Sequence, residues 1–296
     1  MNLPVPVVSA ARIHTALLGG AVFAVDRSVA IQLTNAVPWW PRAARTLHEQ
    51  GLRMAAHLVA RGFDQVLDLG CGLPSPSGPL VHEIAAARYP GATGARTVYV
   101  DRDIHAHAAR RIGLVCQPGS DGSDAVLADI TATEDLLEHP AVQGLNWRRP
   151  IAVLLHDVLP WLSDDAATHL MAVLRHRLAP GSIISSTHLL SAPHPYATAP
   201  LVQHHRKAGI GLWPRHLPAI TALTGTWPTY IHSGPGRLPV CTLLTRSPGP
   251  GRFARPAFWP FPAARGREHR PLRQPCAMHQ PRQTTPRPLP TAKDTQ

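Results

Sequence analysis

The feature of this sequence that most constrains its fold is the alternation, from Asp64 onward, of short apolar runs with longer helical patterns. Five runs predict strands, and they are VLDL (66–69), TVYV (97–100), AVLA (125–128), IAVLL (151–155) and SIISST (182–187). Four helical patterns separate these strands. The first begins at Pro79, and the next two cover 103–112 and 133–138. The fourth has Ser163 as its N-cap and ends before Pro180–Gly181. This order is typical of a parallel sheet covered by helices on both faces.

The segments on either side of this region complete the predicted fold. WPTYI (227–231) and VCTLL (240–244) flank SGPGR and predict an antiparallel hairpin. The hairpin brings the sheet to seven strands, mostly parallel. Residues 9–62 carry helical spacing without a strand. We therefore predict an α/β fold in three parts, which are a helical N-terminal extension (1–62), a Rossmann-like domain (63–246) and a C-terminal tail (247–296).

The tail also contains most of the excess positive charge. Residues 246–296 hold 11 prolines, 10 basic residues and 2 acidic ones, in a chain whose formal charge is +11. Such a composition cannot bury enough apolar surface to offset chain entropy, so the tail is predicted to be disordered. Residues 1–245 hold 19 basic and 16 acidic residues, a formal charge of only +3. We therefore predict no nucleic-acid partner for the folded part.

Cysteine spacing and apolar run lengths indicate the compartment. Cys71, Cys116, Cys241 and Cys276 are spread singly, so neither a disulfide framework nor a zinc knuckle is predicted. No basic leader precedes the first apolar run, and no run of eighteen apolar residues occurs. We expect a cytoplasmic protein without a membrane span. Its oligomeric state is not indicated.

The sharpest motif is VLDLGCGLP (66–74), a strand that runs into a glycine turn and then a helix. Gly70 and Gly72 have no Cβ, so a ligand can approach their backbone N–H groups closely. A dinucleotide fingerprint would place a third glycine where Ser75 stands. Asp68 would repel a pyrophosphate but suits an ammonium group. S-adenosylmethionine has an α-amino group and a sulfonium and no phosphate, so the motif favours this cofactor over NAD.

Two more acids follow the next two strands. Asp101, in YVDRD (99–103), ends the second strand, where a carboxylate can accept both hydroxyls of a ribose. Asp129, in LADI (127–130), is placed to accept from an adenine amine while Ile130 packs on the base. Ligands bind outside the carboxyl ends of such strands, so these elements are expected to meet in one crevice. The predicted cofactor-binding residues are Asp68, Gly70, Cys71, Gly72, Asp101, Arg102, Asp129 and Ile130.

These motifs also carry a resemblance. The chain, from about Val8 to Thr245, is similar to the S-adenosylmethionine-dependent methyltransferase-like family abundant in actinobacteria, long described as a domain of unknown function. The matching segments are ARIHTALLGG (11–20), FAVDR (23–27), VLDLGCGLP, VYVDRD (98–103), IAVLLHDVLPWLSDD (151–165) and LAPGSIISSTH (178–188). The resemblance implies a class I methyltransferase fold, with cofactor contacts at Asp68, Gly70, Gly72, Asp101 and Asp129. His156 and Asp157 stand where the family usually has a small apolar pair.

His156 and Asp157 follow the fourth predicted strand at the mouth of the crevice and are the predicted catalytic residues. Either can take a proton from a hydroxyl acceptor, while the other interpretation is a polar loop pair. Trp161 either lines an acceptor pocket or packs in the core. The histidines show no spacing for a metal site, so no metal is predicted.

The sequence thus predicts a methyltransferase that moves a methyl group from S-adenosylmethionine to a small-molecule acceptor. One alternative is a non-catalytic regulatory protein that binds the same cofactor. Another is an NAD-linked oxidoreductase, because Asp101 also fits the ribose of NAD.

Overall fold

The computed structural model describes residues 7–76, 78–88, 96–116, 122–191, 195–234 and 238–249. The tail from residue 250 onward lies outside these ranges, so its disorder stays a prediction. The predicted hairpin turn at 235–237 also lies outside them. All the described residues fall within one compact unit, Met1–Phe261.

Helices and strands alternate over most of the described chain. The helices are α1 (Ala10–Leu17), α2 (Ala24–Ala36), α3 (Trp40–Ala60), α4 (Val81–Arg88), α5 (Ile104–Cys116), α6 (Thr133–Glu138), α7 (Pro140–Gln143), α8 (Asp164–Arg177), α9 (Pro195–Lys207) and α10 (Leu217–Leu223). The strands are β1 (Gln65–Leu69), β2 (Arg96–Asp101), β3 (Asp124–Leu127), β4 (Ala152–His156), β5 (Ile183–Leu189), β6 (Thr229–Ser233) and β7 (Val240–Arg246). A short 3₁₀ turn covers Leu159–Trp161.

The seven strands form one sheet in the order β3-β2-β1-β4-β5-β7-β6. Strands β1 to β5 run parallel, and β7 pairs antiparallel with both β5 and β6. The chain reverses its direction across the sheet between β3 and β4, beside the central strand β1. In open sheets of this kind the ligand crevice forms at that reversal. The predicted α/β fold with a seven-stranded, mostly parallel sheet is confirmed.

Both faces of the sheet are covered, as the apolar runs predict. Val66 packs with residues of α3 and α4 on one face. Leu67 and Leu69 pack with residues of α6, α7 and α8 on the other. Asp68 therefore shares the face of Val66, because side chains alternate along a strand.

The region between β5 and β6 differs from the prediction, in which it is only a Pro-rich connection. It contains α9 and α10, and Pro200 lies inside α9. Among the side chains of α9 that the structure describes, 198–207, the buried ones are Thr198, Leu201 and His205. Two of these three are polar, so the apolar periodicity that marks a helix is hidden. Strand β6 begins two residues later than predicted, after Pro228, which has no N–H for the sheet ladder.

The N-terminal helices pack onto the sheet and onto each other. Helix α3 contacts β4, β5 and β7. Gly51 allows this close approach, since a Cβ there would lie 2.9 Å from the ring of His156. Arg12 of α1 donates to Asp26 at 2.8 Å and to Asp103 at 2.6 Å, and all three side chains are buried. Removing one partner of such a buried network costs about 3–5 kcal/mol. This network fixes α1 beside the end of β2.

Among the described residues, no helix is both long enough and apolar enough to cross a membrane.

Candidate functional site

A cavity of about 790 Å³ opens at the carboxyl ends of β1 to β4. All ten residues predicted for cofactor binding or catalysis line it: Asp68, Gly70, Cys71, Gly72, Asp101, Arg102, Asp129, Ile130, His156 and Asp157. Further walls come from α1, the middle of α3, the start of α4, and Gly209, Ile210, Gly211 and Trp213. The structure thus brings together residues from four strand ends that are spread over some ninety positions of the chain.

The glycine turn after β1 has the conformation that its sequence predicts. Gly70 and Gly72 have φ values of +65° and +59°, which favour glycine. The N–H groups of Gly70 and Cys71 donate to the carbonyl of Val100 at 2.8 and 3.1 Å, which ties the turn to β2. A Cβ on Gly70 would lie 2.8 Å from Val158, whereas a Cβ on Gly72 would meet no atom within 4 Å. Space for a ligand therefore adjoins Gly72. The N–H groups of Gly70 and Gly72, which were expected to face a ligand, donate instead to Val100 and Asp101.

Asp101 joins the glycine turn to the end of β2. Its Oδ2 accepts from the N–H of Gly72 at 2.7 Å, and its Oδ1 accepts from the N–H of Asp103 at 2.8 Å. Burial raises the pKa of Asp101, although these two N–H donors act in the opposite direction. Each oxygen has a second lone pair, so both can still accept from a ligand hydroxyl.

Arg110 supports the same turn from α5, and the sequence analysis missed it. Its guanidinium donates to the carbonyls of Gly72 and Cys71 at 3.0 and 2.7 Å, and it lies 4.9 Å from the ring centre of Tyr99. A buried arginine in the middle of an amphipathic helix gives no sequence signal of what it binds. The guanidinium binds the backbone carbonyls of the turn, and these hydrogen bonds hold the turn in its observed conformation.

Asp68 is buried at the base of the cavity. Burial raises the pKa of Asp68 to about 7, with Arg110 lowering it and Asp101 raising it further. Burial also raises the pKa of the Cys71 thiol, which keeps that thiol protonated. A carboxyl group with a pKa near 7 is partly protonated at neutral pH, so a cation that binds nearby readily shifts it to the ionised form.

Asp129 and Ile130 form the wall after β3. Oδ1 of Asp129 accepts from the N–H and the hydroxyl of Thr131 at 2.9 and 2.8 Å, and Arg102 lies 3.4 Å from Oδ2. Partial burial opposes ionisation, but the Thr131 hydrogen bonds and the Arg102 charge outweigh it and lower the pKa of Asp129. Ile130 is buried in the core and lines the cavity with one edge.

His156, at the end of β4, is tightly held. Its Nε2 lies 2.9 Å from the hydroxyl of Ser185, and its ring packs on Gly51 of α3. Burial, and then the charge of His48, lower the pKa of His156 to about 3. The side chain is therefore neutral across the physiological range.

Asp157 is the one described residue other than glycine with a positive φ, at +56°. Its N–H donates to the hydroxyl and carbonyl of Thr187, at 2.8 and 3.2 Å, which holds the strained backbone in place. Its Oδ2 lies 2.9 Å from Nδ1 of His14 in α1. Its Oδ1 is buried and has no hydrogen-bond partner among the described residues. His14 was not predicted, because nothing in its local sequence connects it to a residue 143 positions away.

Two further histidines stand near this pair. The rings of His48 and His14 are 6.4 Å apart and nearly edge to face. Burial, followed by the charges of His14 and Arg110, lowers the pKa of His48 to about 4. His205 of α9 contacts the ring of Trp161 at 5.2 Å. Within the described ranges, no group of three or more His, Cys, Asp or Glu side chains is arranged to hold a metal ion.

The far end of the cavity is apolar. Trp161, Leu162, Ile210 and Trp213 line it. Trp161 also packs against the core cluster around α1 to α3, so it belongs to both the cavity and the core. The N–H of Trp213 donates to the carbonyl of Pro160 at 2.7 Å, which holds the 209–213 segment over the cavity.

Comparisons with known proteins agree with this arrangement. Residues 2–226 match the family model described as S-adenosyl methyltransferase. A solved structure of a candidate methyltransferase from Thermobifida fusca YX is 28% identical, with a TM-score of 0.73 over 82% of this chain and 96% of that chain. A duf574 family protein from Streptomyces avermitilis shares the fold at 21% identity, with a TM-score of 0.74 over 81% and 98%. No curated protein matches the chain.

Proposed function

The chain belongs to the S-adenosyl methyltransferase family, and from this membership we propose that it methylates a small-molecule acceptor bound in the cavity. The family and the fold make it an S-adenosylmethionine-dependent enzyme. What remains to be assigned is the role of each residue and the class of acceptor.

The observation that carries the proposal is the hydrogen bond between the Gly72 N–H and Asp101. This bond places the Asp101 carboxylate beside the glycine turn, where a Cβ on Gly72 would meet no atom within 4 Å. Both residues line the same cavity. We assign the ribose hydroxyls to Asp101 and the adenine to Asp129 and Ile130. Asp68, at the base of the turn, is assigned to the α-amino group. Gly70, Cys71 and Arg102 complete this side of the cavity.

The charges of the cavity fit this cofactor better than a dinucleotide. The carboxylates of Asp68, Asp101 and Asp129 line it. Of its arginines, Arg110 is bound to backbone carbonyls and Arg102 is paired with Asp129. A pyrophosphate would meet three carboxylates without a free cation among these groups, whereas a sulfonium and an ammonium meet complementary charge.

The size and polarity of the cavity support a small acceptor. Binding cavities for small molecules measure about 300–1,000 Å³ and combine apolar walls with a few polar groups. The indoles of Trp161 and Trp213 provide such walls beside the polar pair of His156 and Asp157. The low charge of residues 1–245 gives no support to a nucleic-acid acceptor.

S-adenosylmethionine, when bound, supplies an electrophilic methyl group with a good leaving thioether. The residues of this chain therefore have to align the acceptor, exclude water and, for a hydroxyl acceptor, remove a proton. Leu18 and Trp213 contribute apolar side chains to the cavity wall. Of the two predicted catalytic residues, Asp157 contacts a second titratable side chain of the cavity through its Oδ2, 2.9 Å from Nδ1 of His14, whereas the Nε2 of His156 is engaged by Ser185. The proton-removing role therefore fits the Asp157 side of the cavity better.

The proposal is tested with S-adenosylmethionine that carries a labelled methyl group, incubated with a panel of small phenols, alcohols and amines. Labelled product is expected with the wild-type protein and is expected to fall at least tenfold with Asp101→Ala. Asp124→Ala, at the opposite end of β3, serves as the matched control and should retain full activity. Cofactor binding without labelled product from any member of the panel would favour the regulatory alternative.

A further inference from the structure

We infer that His14 and Asp157 form a catalytic dyad, in which His14 removes a proton from a hydroxyl group on a planar, apolar acceptor. This inference rests on the proposed function and deepens it by naming the base and the acceptor class. Three features of the molecule support it: the geometry of the His14–Asp157 pair, the position of the pair beside the glycine turn, and the apolar walls of the cavity.

The geometry of the pair is that of a base and the group that orients it. The 2.9 Å contact joins Nδ1 of His14 to Oδ2 of Asp157, so the carboxylate holds the proton of a neutral ring on Nδ1. The other ring nitrogen, Nε2, makes no hydrogen bond to any described residue and is not among the fully buried unpartnered atoms. Because His14 lines the cavity, this Nε2 is a free acceptor there.

The surrounding structure holds the backbone of Asp157 in an unfavourable conformation. A non-glycine residue at positive φ costs about 1–3 kcal/mol and persists only where the surrounding structure enforces it. Here Thr187 enforces it through both hydrogen bonds to the Asp157 N–H. The buried Oδ1 without a partner is a further unfavourable feature, and such features concentrate at functional sites.

The dyad stands next to the expected reaction centre. Val158, the neighbour of Asp157, is the residue that a Cβ on Gly70 would strike at 2.8 Å. The residue that follows Asp157 therefore packs directly against the glycine turn. The apolar walls formed by Trp161, Ile210 and Trp213 border the same cavity.

These walls indicate the acceptor class. Indole rings favour a flat, apolar body that can stack on them. Among the described lining residues the arginines are Arg12, Arg102 and Arg110, and each is paired with a carboxylate or with backbone carbonyls. None is free to recognise an acidic acceptor. A phenol-like hydroxyl therefore fits the site better than a carboxylate or a phosphate.

Nε2 of His14 takes the hydroxyl proton while an oxygen lone pair forms the bond to the methyl carbon. The bond between that carbon and sulfur breaks, and its electron pair stays on sulfur as the neutral thioether. The positive charge of the sulfonium ends on the imidazolium of His14, where the Asp157 carboxylate stabilises it.

The first test does not depend on catalysis. Nitrogen-15 NMR of histidine-labelled protein without ligand reports which ring nitrogen of His14 carries the proton. The dyad predicts the Nδ1–H form in the wild type and a return to the Nε2–H form, which histidine prefers in water, in Asp157→Gly. Glycine accepts the positive φ of this position, so the variant is expected to fold. An Nε2–H ring in the wild type would overturn the dyad.

The second test measures the proton of a bound probe. With S-adenosylhomocysteine present, 7-hydroxycoumarin is expected to bind and to show more of its anion, by absorbance, than it does in buffer at the same pH. His14→Gln should abolish the increase. His169→Gln should retain it, because His169 forms an exposed histidine–carboxylate pair with Glu134, 3.0 Å apart, and neither residue lines the cavity.

Methyl transfer to a phenol should also fall about a hundredfold or more in His14→Gln, while affinity for S-adenosylmethionine stays within a factor of a few. The acid limb of the wild-type pH profile should disappear from the residual rate. The titratable neighbours of His14 are Asp157 and His48; beyond them, His156 interacts with His48, and His205 interacts with Asp157. Absence of coumarin binding, or an anion signal that survives His14→Gln, would overturn the inference. Failure of the wild type to bind S-adenosylmethionine would instead overturn the proposed function.

Discussion

The N–H of Gly72 donates to Oδ2 of Asp101 at 2.7 Å, although 29 positions separate the two residues. This bond joins the turn after β1 to the end of β2. Asp101 therefore has a structural role as well as the proposed role in binding ribose. Variants at this position have to separate the two roles.

Asp101→Ala should weaken S-adenosylmethionine binding by about 2 kcal/mol, or roughly thirtyfold in Kd, because two hydrogen bonds to a charged acceptor are lost. Asp101→Asn keeps an oxygen for the Gly72 N–H and should lose less. Calorimetry on variants with an unchanged far-UV spectrum measures both. Equal affinity in wild type and Asp101→Ala would remove the ribose assignment, and Asp124→Ala should leave affinity unaltered.

Asp68 predicts a pH dependence of cofactor binding. Burial raises its pKa to about 7 in the free protein, whereas a bound ammonium favours the ionised form. Binding must then release a proton below pH 7, so affinity for S-adenosylmethionine should be several-fold weaker at pH 6 than at pH 7.5. Adenosine, which has no amino acid moiety, should bind with little change. Asp68→Asn should remove the pH dependence, and a dependence that persists in this variant would assign it to another group.

The same raised pKa affects folding stability. The carboxyl group is neutral below pH 4 in both the folded and the unfolded chain. As pH rises from about 4 to about 7, the unfolded chain ionises first, so stability that Asp68 contributes at low pH is lost over this window. Denaturation curves between pH 5 and pH 8 should show a smaller loss in Asp68→Asn than in the wild type. Parallel losses in the two proteins would contradict this assignment.

The glycine turn offers a matched pair of variants. Gly72→Ala and Gly62→Ala both place a Cβ at positive φ, and in both cases the Cβ meets no atom within 4 Å. Each should cost about 1 kcal/mol or more in unfolding free energy. Only Gly72 adjoins the cavity, so only Gly72→Ala should also weaken cofactor binding. The same affinity in both variants would mean that no ligand approaches the turn.

The predicted tail can be tested by truncation. The N–H of Ser247 donates to the carbonyl of Ser182 at 2.8 Å, and Ser247 is buried. A chain that ends after Gly249 should therefore keep the melting temperature and the cofactor affinity of the full chain. A chain that ends after Arg246 loses this bond and should melt lower. A melting temperature several degrees lower in the chain that ends after Gly249 would show that residues 250–296 support the fold.

The parts of the site that the sequence predicts share one property. Asp68, Asp101 and Asp129 each lie at or just beyond the carboxyl end of a parallel strand, and the topology of such sheets brings those ends together. Local patterns therefore suffice to place them. The seven-stranded sheet is predictable for the same reason, because largely apolar runs of four to six residues mark its strands.

The parts that the sequence does not predict depend on long-range packing. His14 meets Asp157 only because α1 is fixed beside the sheet by Arg12, Asp26 and Asp103. Arg110 supports the glycine turn from a helix whose pattern shows only one apolar face. Helix α9 is concealed by a polar buried face and an internal proline. In each case the contact that matters joins residues that share no local motif.

The most direct measurement is a calorimetric titration of the purified wild-type protein with S-adenosylmethionine and, separately, with NAD. One equivalent of S-adenosylmethionine per chain is expected to bind, with affinity lost in Asp101→Ala and no detectable heat from NAD. Saturable binding of NAD, or no binding of S-adenosylmethionine by the folded protein, would contradict the assignment of this cavity as the cofactor site.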